Sequence, residues 1–397
     1  MPDDAMYMTA REAAALLEIS VQTLYAYVSR KSLRSRAVPG TRARLYWRAD
    51  IERLLGADAV AHSAVVARPG VSPDSEITLL TKHGLYYRGR DVIDLAESAP
   101  FETVAALLWG AEEGAAFTPT APPVPATYEP VRRLLDGQTP TERAIVLLPL
   151  IEYATGRPHD LSPAGFARAG ADVLRWTAAI LVGADAPRAA PIPQVIAAAL
   201  GAPRGFDDII RRLLILAADH AIEGTTHVVR ALANVGVTPY RAVAAGLMAS
   251  QGQRLQQLRL TDVSRLLDEI LTAPDPRAPI EARHRAGESL ASFDASVYPD
   301  GDPRGAALLR AIEARFGDDA DVRRLRQATE AAMALGSRGP NFMLMGLFVG
   351  RKLGLVGQEI AIGTIGRTAG WIAHAMEQFY GREMIRPRTT YTGPLPE

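Results

Sequence analysis

Along most of the chain, apolar residues recur at helical spacing and seldom alternate. Stretches such as AVAAGLMAS and ALLRAIEARF hold few β-branched runs, which favours helix over sheet. The pattern predicts helices at 101–110, 128–136, 139–153, 163–182, 190–200, 206–233, 238–250, 261–271, 281–290, 303–315, 320–334, 341–352 and 358–380. Ser162 before Pro163, Thr139 three residues ahead of Glu142, and Thr238 before Pro239 are expected to cap helix starts. Gly183, Gly201, Gly236, Pro274 and Pro276 punctuate the pattern. Two stretches follow neither period: a connector at 57–74, and FTPTAPPVPATYEP at 117–130, whose five prolines predict a surface loop.

The N-terminal 56 residues behave differently. TAREAAALL opens on a Thr cap and puts Ala13, Ala14, Leu16 and Leu17 on one face. Ser20 then starts a second helix, with Leu24 and Val28 inward and Gln22, Thr23 and Tyr25 outward. Two short helices joined by a tight turn are a helix-turn-helix candidate. Leu33 to Trp47 reads as two strands around Pro39-Gly40, a wing. Between Ile19 and Ala49 lie Arg30, Lys31, Arg34, Arg36, Arg42, Arg44 and Arg48, seven bases without an acid. A basic run confined to the elements that would face a duplex points to DNA binding, the bland reading being a solvated face of a protein-binding module.

Over all 397 residues the 44 basic and 44 acidic side chains cancel, so nucleic-acid affinity has to come from that local patch. With no cysteine, disulfides, thiolate nucleophiles and cysteine metal sites are excluded. The acidic start MPDDAMYMTAREAA is unlike a secretory signal, and apolar runs such as 142–151 are too short to span a bilayer, so a cytoplasmic location is expected.

In the helical body, Asp219, His220, Glu223 and His227 stand out in LAADHAIEGTTHVV, as do Arg304, Arg367, Arg386 and Arg388. His220 and His227, two helical turns apart, would share a face, yet no HExxH spacing and no third ligand support a metal site. Arg367 sits beside Gly366, Ala369 and Gly370, where close packing demands an anionic partner, internal or bound.

The N-terminal segment, through YMTAREAAALLEISVQTLYAYVSRKSL and RARLYWRADIERLL, resembles the winged helix-turn-helix domains of the MerR and excisionase class. The residue pattern turns Gln22, Thr23, Tyr25, Arg30, Lys31, Arg42 and Arg44 toward DNA, and the resemblance implies backbone contact by Arg44 and Tyr46 of the wing. From about residue 76 to 393 the chain resembles the citrate synthase family, through TLLTKHGLYYRGRDVIDLAESAPFETVAALLWG, LAADHAIEGTTHVVRALA, VYPDGDPRGAAL, IAIGTIGRTAGWIAHAMEQF and MIRPRTTYTG. It implies a mainly α, helical two-domain homodimer, with a large domain at 75–255 and 346–397 and a small one at 256–345. It also implies an oxaloacetate site formed by His220, Arg304, Arg367 and Arg386, the last reaching the partner subunit's site.

The family's catalytic positions are another matter. Its histidine in GPLHGG faces Leu255 in GQRLQQL, its second histidine faces Ala295 in DASVYPDGDPR, with Pro299 at the following lysine, and its aspartate base faces Met343 in PNFMLMG. Leucine, alanine and methionine neither donate nor accept the protons of a condensation. The expected protein is a DNA-binding transcriptional regulator whose catalytically inactive body senses a di- or tricarboxylate such as citrate or oxaloacetate, with no cofactor required. The alternatives are a working citrate or 2-methylcitrate synthase, which alone would need acyl-CoA, and a dimer that only scaffolds other proteins.

Overall fold

The computed structural model describes residues 7–17, 19–30, 33–38, 40–41, 43–48, 50–51, 74–155, 160–252, 260–294, 297–381 and 385. They fall into two compact units, those up to residue 51 in one and those from residue 74 in the other.

The first unit comprises β1 (Tyr7–Thr9), α1 (Ala10–Leu16), α2 (Val21–Arg30), β2 (Ser35–Ala37) and β3 (Arg44–Trp47). Thr9 caps α1 in a reciprocal box with Glu12, and the Ser20 hydroxyl accepts from the Thr23 amide at 3.0 Å to start α2, both as the sequence predicts. The strands form an antiparallel sheet in the order β1-β3-β2, with Met8 opposite Tyr46 and Ser35 opposite Tyr46 on the other side. Met8, Ala13, Ala14, Leu24, Leu33, Tyr46 and Ile51 make its core.

The second unit opens with a small antiparallel sheet, β4 (Thr78–Leu80), β5 (Leu85–Tyr87) and β6 (Arg90–Asp91). Its last turn is Arg88-Gly89, both at positive φ, the backbone twist a tight hairpin needs. Helices follow: α3 (Val92–Ser98), α4 (Phe101–Trp109), α5 (Glu113–Ala116), α6 (Tyr128–Leu134), α7 (Pro140–Thr155), α8 (Pro163–Leu181), α9 (Ile192–Ala199), α10 (Phe206–Ala217), α11 (Gly224–Ala233) and α12 (Pro239–Ser250). Next come α13 (Thr261–Thr272), α14 (Ala278–Arg285), α15 (Pro303–Phe316), α16 (Ala320–Ala334), α17 (Phe342–Lys352) and α18 (Ala361–Tyr380). Ser162 and Thr139 cap as expected, accepting from the amides of Gly165 at 3.1 Å and Glu142 at 3.3 Å. Thr238 does not cap: its hydroxyl donates to Glu152 at 2.5 Å.

The buried helix α18 lies against α8, α10, α11 and α12. Its approach to α10 depends on glycine, since a Cβ at Gly366 would stand 2.5 Å from the Leu214 carbonyl oxygen and one at Gly370 2.1 Å from that of Ala218. The single helix expected at 206–233 is in fact two, α10 and α11, with Ala221 between them at φ +59°. The helix breaks there although neither Gly nor Pro marks residues 218–223. Among the described residues no helix is long and apolar enough to cross a membrane.

Candidate functional site

The break between α10 and α11 builds the site. It turns His220 out of the helical array, so His220 and His227 share no helix face, and His227 sits exposed on α11. This corrects the two-turn spacing read from the sequence. His220 enters a cavity of about 1010 Å³ whose walls include Tyr298, Arg304, Met343 and Arg367. Three of the expected ligand-binding side chains thus converge from positions far apart in sequence.

Each cation is held by a buried acid. Asp302 caps α15, accepting from the backbone amides of Arg304 and Phe342, both at 3.1 Å. The same carboxylate grips the Arg304 guanidinium in a fork, Nε at 3.0 Å and Nη2 at 2.9 Å. Burial opposes charge on both partners, but their mutual attraction outweighs it, raising Arg304 and lowering Asp302. The guanidinium also stacks over Phe342, 4.6 Å from the ring centre.

Asp219, fully buried, holds the second cation. It accepts from Arg367 Nη1 at 3.3 Å, His374 Nε2 at 3.1 Å and the Ala221 amide at 3.2 Å. Burial alone would raise its pKa; His374 and Arg367 outweigh burial and hold it at about 2. Behind it, His374 Nδ1 meets Arg230 Nη1 at 3.2 Å, and Arg230 pairs in turn with Glu377. The Tyr87 hydroxyl ties this floor to the sheet, receiving the Asp219 amide at 2.9 Å.

His220 is neutral. Burial first, then Arg304 and Arg367, push its imidazole down to about 3, and Nε2 lies 3.0 Å from the Tyr298 hydroxyl. Burial pushes that phenol up to about 12, so it keeps its proton at neutral pH. The cavity therefore offers two acid-held guanidinium groups and a neutral imidazole–phenol pair, with Arg338 a third arginine in its lining. Met343 lines the wall of α17 with no titratable atom.

Leu255, Ala295 and Arg386 lie outside the described residues, as does Arg388. The sequence reading missed Tyr298, Asp302, Tyr87 and His374. Only Asp302 carried a local signal, an Asp-Pro step at a helix start. No group of three or more His, Asp or Glu residues suited to a metal ion occurs among the described residues.

In the first unit, Gln22 and Tyr25 are exposed on α2, while Thr23 is partly buried and hydrogen-bonds Ser20 at 2.8 Å. Arg44 is exposed on the wing strand, braced by Ser35 at 2.9 Å. Arg34 is spent on structure, forked onto Asp50, which is 1% exposed. Tyr46 corrects an expectation. At 2% exposure it belongs to the core with Leu24 and Ala13 and presents no surface to a duplex. Arg30 closes α2, and Lys31 and Arg42 lie outside the described residues.

The fold and site together define a helical body built around a cleft lined by two acid-paired arginines, carried with a helix-turn-helix module. The model of the citrate synthase C-terminal domain matches residues 184–388, about half of the chain, and the protein belongs to the citrate synthase family. A helix-turn-helix domain model matches residues 7–58. A Mycobacterium tuberculosis protein provisionally named citrate synthase 2 is 29% identical over 351 residues, covering 79% of this chain and 87% of that protein. The 2-methylcitrate synthase of the same species is 27% identical over 346 residues, with 78% and 85% covered. Citrate synthase of Thermoplasma acidophilum, solved with carboxymethyl coenzyme A and oxaloacetate, superposes with a TM-score of 0.67 at 17% identity, covering 85% of this chain and 96% of that one.

Proposed function

We propose that this protein is a DNA-binding regulator whose citrate synthase-like body binds a di- or tricarboxylate without carrying out the condensation. The observation that carries the reading is the composition of one cavity: Arg304 and Arg367, each fixed by a buried acid, beside Met343 where a proton-abstracting carboxylate would be needed. On this reading anion recognition is kept, and the described residues of α17 that line the cavity bring no carboxylate or imidazole to Met343's place. The exposed Gln22, Tyr25 and Arg44 support a duplex-facing surface on the first unit. A homodimer would present two such units to paired half-sites.

Calorimetry with citrate and oxaloacetate tests the first half. Binding lost in Arg367→Ala is expected, and silence from the wild type at millimolar ligand refutes carboxylate sensing. A shift assay on the DNA upstream of the protein's own reading frame, at stated salt, tests the second half. Arg44→Ala should weaken binding and flatten its salt dependence by about one ion.

A second reading is favoured by the names of the relatives, citrate synthase 2 and 2-methylcitrate synthase. On it the chain condenses an acyl-CoA with a keto acid through other residues. Release of free CoA from acetyl-CoA or propionyl-CoA with oxaloacetate, well above the buffer rate and abolished by Arg367→Ala, would establish it.

A further inference from the structure

The cavity exceeds what a four-carbon diacid fills. Its volume of about 1010 Å³ stands at the upper end of small-molecule sites, about 300–1,000 Å³. Its described walls also change character along their length in one direction. On α10, Leu213 and Ala217 lead up to His220 just beyond it; Ile360, at the N-cap of α18, and Gly363 within it lead up to Arg367; α17 contributes Met343 and Gly346. Gly363 is one turn from Arg367, hence on the same face of the helix. A Cβ at Gly363 would meet nothing within 4 Å, and one at Gly346 only Leu213 Cδ1, at 3.9 Å. The space beside the cations is open, and Leu213, Met343, Leu347 and Ile360 give it apolar walls between polar neighbours such as Glu359 and Thr364, whose groups are already engaged by Arg351 and the Ile360 carbonyl.

Resting on the carboxylate-binding reading above, we propose that the ligand is an alkyl-substituted dicarboxylate. Its two carboxylates meet Arg304 and Arg367, and its alkyl tail runs along α18 past Gly363 between Leu213 and Met343. From Arg367 back to Ile360 the helix rises about 10 Å, room for a chain of medium length. Two guanidinium groups on separate elements suit two carboxylates, and the stretch of wall formed by Leu213, Met343 and Ile360 gains from an apolar substituent, since each methylene taken from water tightens binding about fourfold.

The test is calorimetry on the full chain with succinate, 2-hexylsuccinate and hexanol. Hexylsuccinate is expected to bind about a hundredfold tighter than succinate, as three to four buried methylenes imply. Gly363→Leu, which adds bulk in open space on a helix, should bring hexylsuccinate down to the affinity of succinate and leave succinate unchanged. Gly346→Val should do the same from the opposite wall, and Arg367→Ala should abolish both. Equal affinity for the two diacids, or a hexyl preference untouched in both glycine variants, overturns the inference while leaving carboxylate binding intact. No binding of either diacid at millimolar concentration overturns the carboxylate reading and the inference with it. Hexanol binding as tightly as hexylsuccinate shows a tail site without a head, which also overturns it.

Discussion

Asp219→Asn isolates the floor of the site, because asparagine keeps the shape and removes the charge. In the wild type the carboxylate is fully buried and takes hydrogen bonds from Arg367, His374 and the Ala221 amide. Removing one partner of a buried ion pair costs about 3–5 kcal/mol. Arg367 retains 16% side-chain exposure and can turn partly to water, which favours the lower end, about 3 kcal/mol. For a body of this size each kcal/mol lowers the melting temperature by about 2 °C, so a loss of about 6 °C is expected at pH 7. The pH dependence supplies an independent sign. Asp219 is held at about 2, below its unfolded value, so the unfolded chain binds the proton first and this stabilisation is lost as pH falls from about 5 toward 2. The gap between wild type and variant should therefore be full at pH 7 and narrow below pH 5. Thermal melts followed by circular dichroism across that range decide it. A gap under about 1 °C at pH 7, or one that widens in acid, refutes the argument.

Other consequences can be checked separately. Tyr46→Phe should leave DNA affinity unchanged, whereas Tyr46→Ala should cost the first unit about 3–5 kcal/mol and abolish binding by unfolding it, as read by chemical denaturation. Gly370→Ala puts a methyl 2.1 Å from the Ala218 carbonyl and 2.9 Å from Asp219 Oδ1; a loss of about 3 kcal/mol is expected, with weakened carboxylate binding in calorimetry. Because His220 is held neutral at about 3, its imidazole should take up no proton on carboxylate binding between about pH 6 and 8, so His220→Gln should leave the pH dependence of affinity over that range unchanged in calorimetry. A rise in affinity as pH falls through the ordinary histidine range that disappears in His220→Gln would contradict that assignment.

Much of the fold is legible in the sequence because helices announce themselves locally. Ser162 and Thr139 cap where the pattern places them, since an N-cap needs only its own next turn. Thr238 failed the same rule because Glu152, 86 residues away, offers its hydroxyl a stronger partner. The break between α10 and α11 is invisible for a related reason. Residues 218–223 favour helix, and what stops them is the burial of Asp219 against Arg367 and His374 of α18, together with the Tyr87 hydroxyl, contacts that only the tertiary fold creates. Tyr46 was misplaced because the family resemblance carried a wing contact onto it together with Arg44; the two share a strand face, and only the position along β3 decides which of them joins the core with Leu24 and Ala13.

The two acids that hold the arginines bear on how the cavity would recognise an anion. A free arginine side chain loses about 2 kcal/mol of rotamer entropy when a ligand fixes it. In Arg304 that loss occurs on folding: Asp302 takes Nε and Nη2, and Nη1 meets no acceptor among the described residues. Arg367 is fixed likewise through Nη1 by Asp219. The internal carboxylates offset the charge of these two guanidinium groups at long range, so neither of them draws anions strongly from a distance. At contact, the donors left over are already oriented, and a carboxylate that reaches them pays little for order. Such a site selects by the spacing of two oriented forks and discriminates poorly by net charge. That favours a ligand defined by shape, with two carboxylates a fixed distance apart, over the most highly charged acid available.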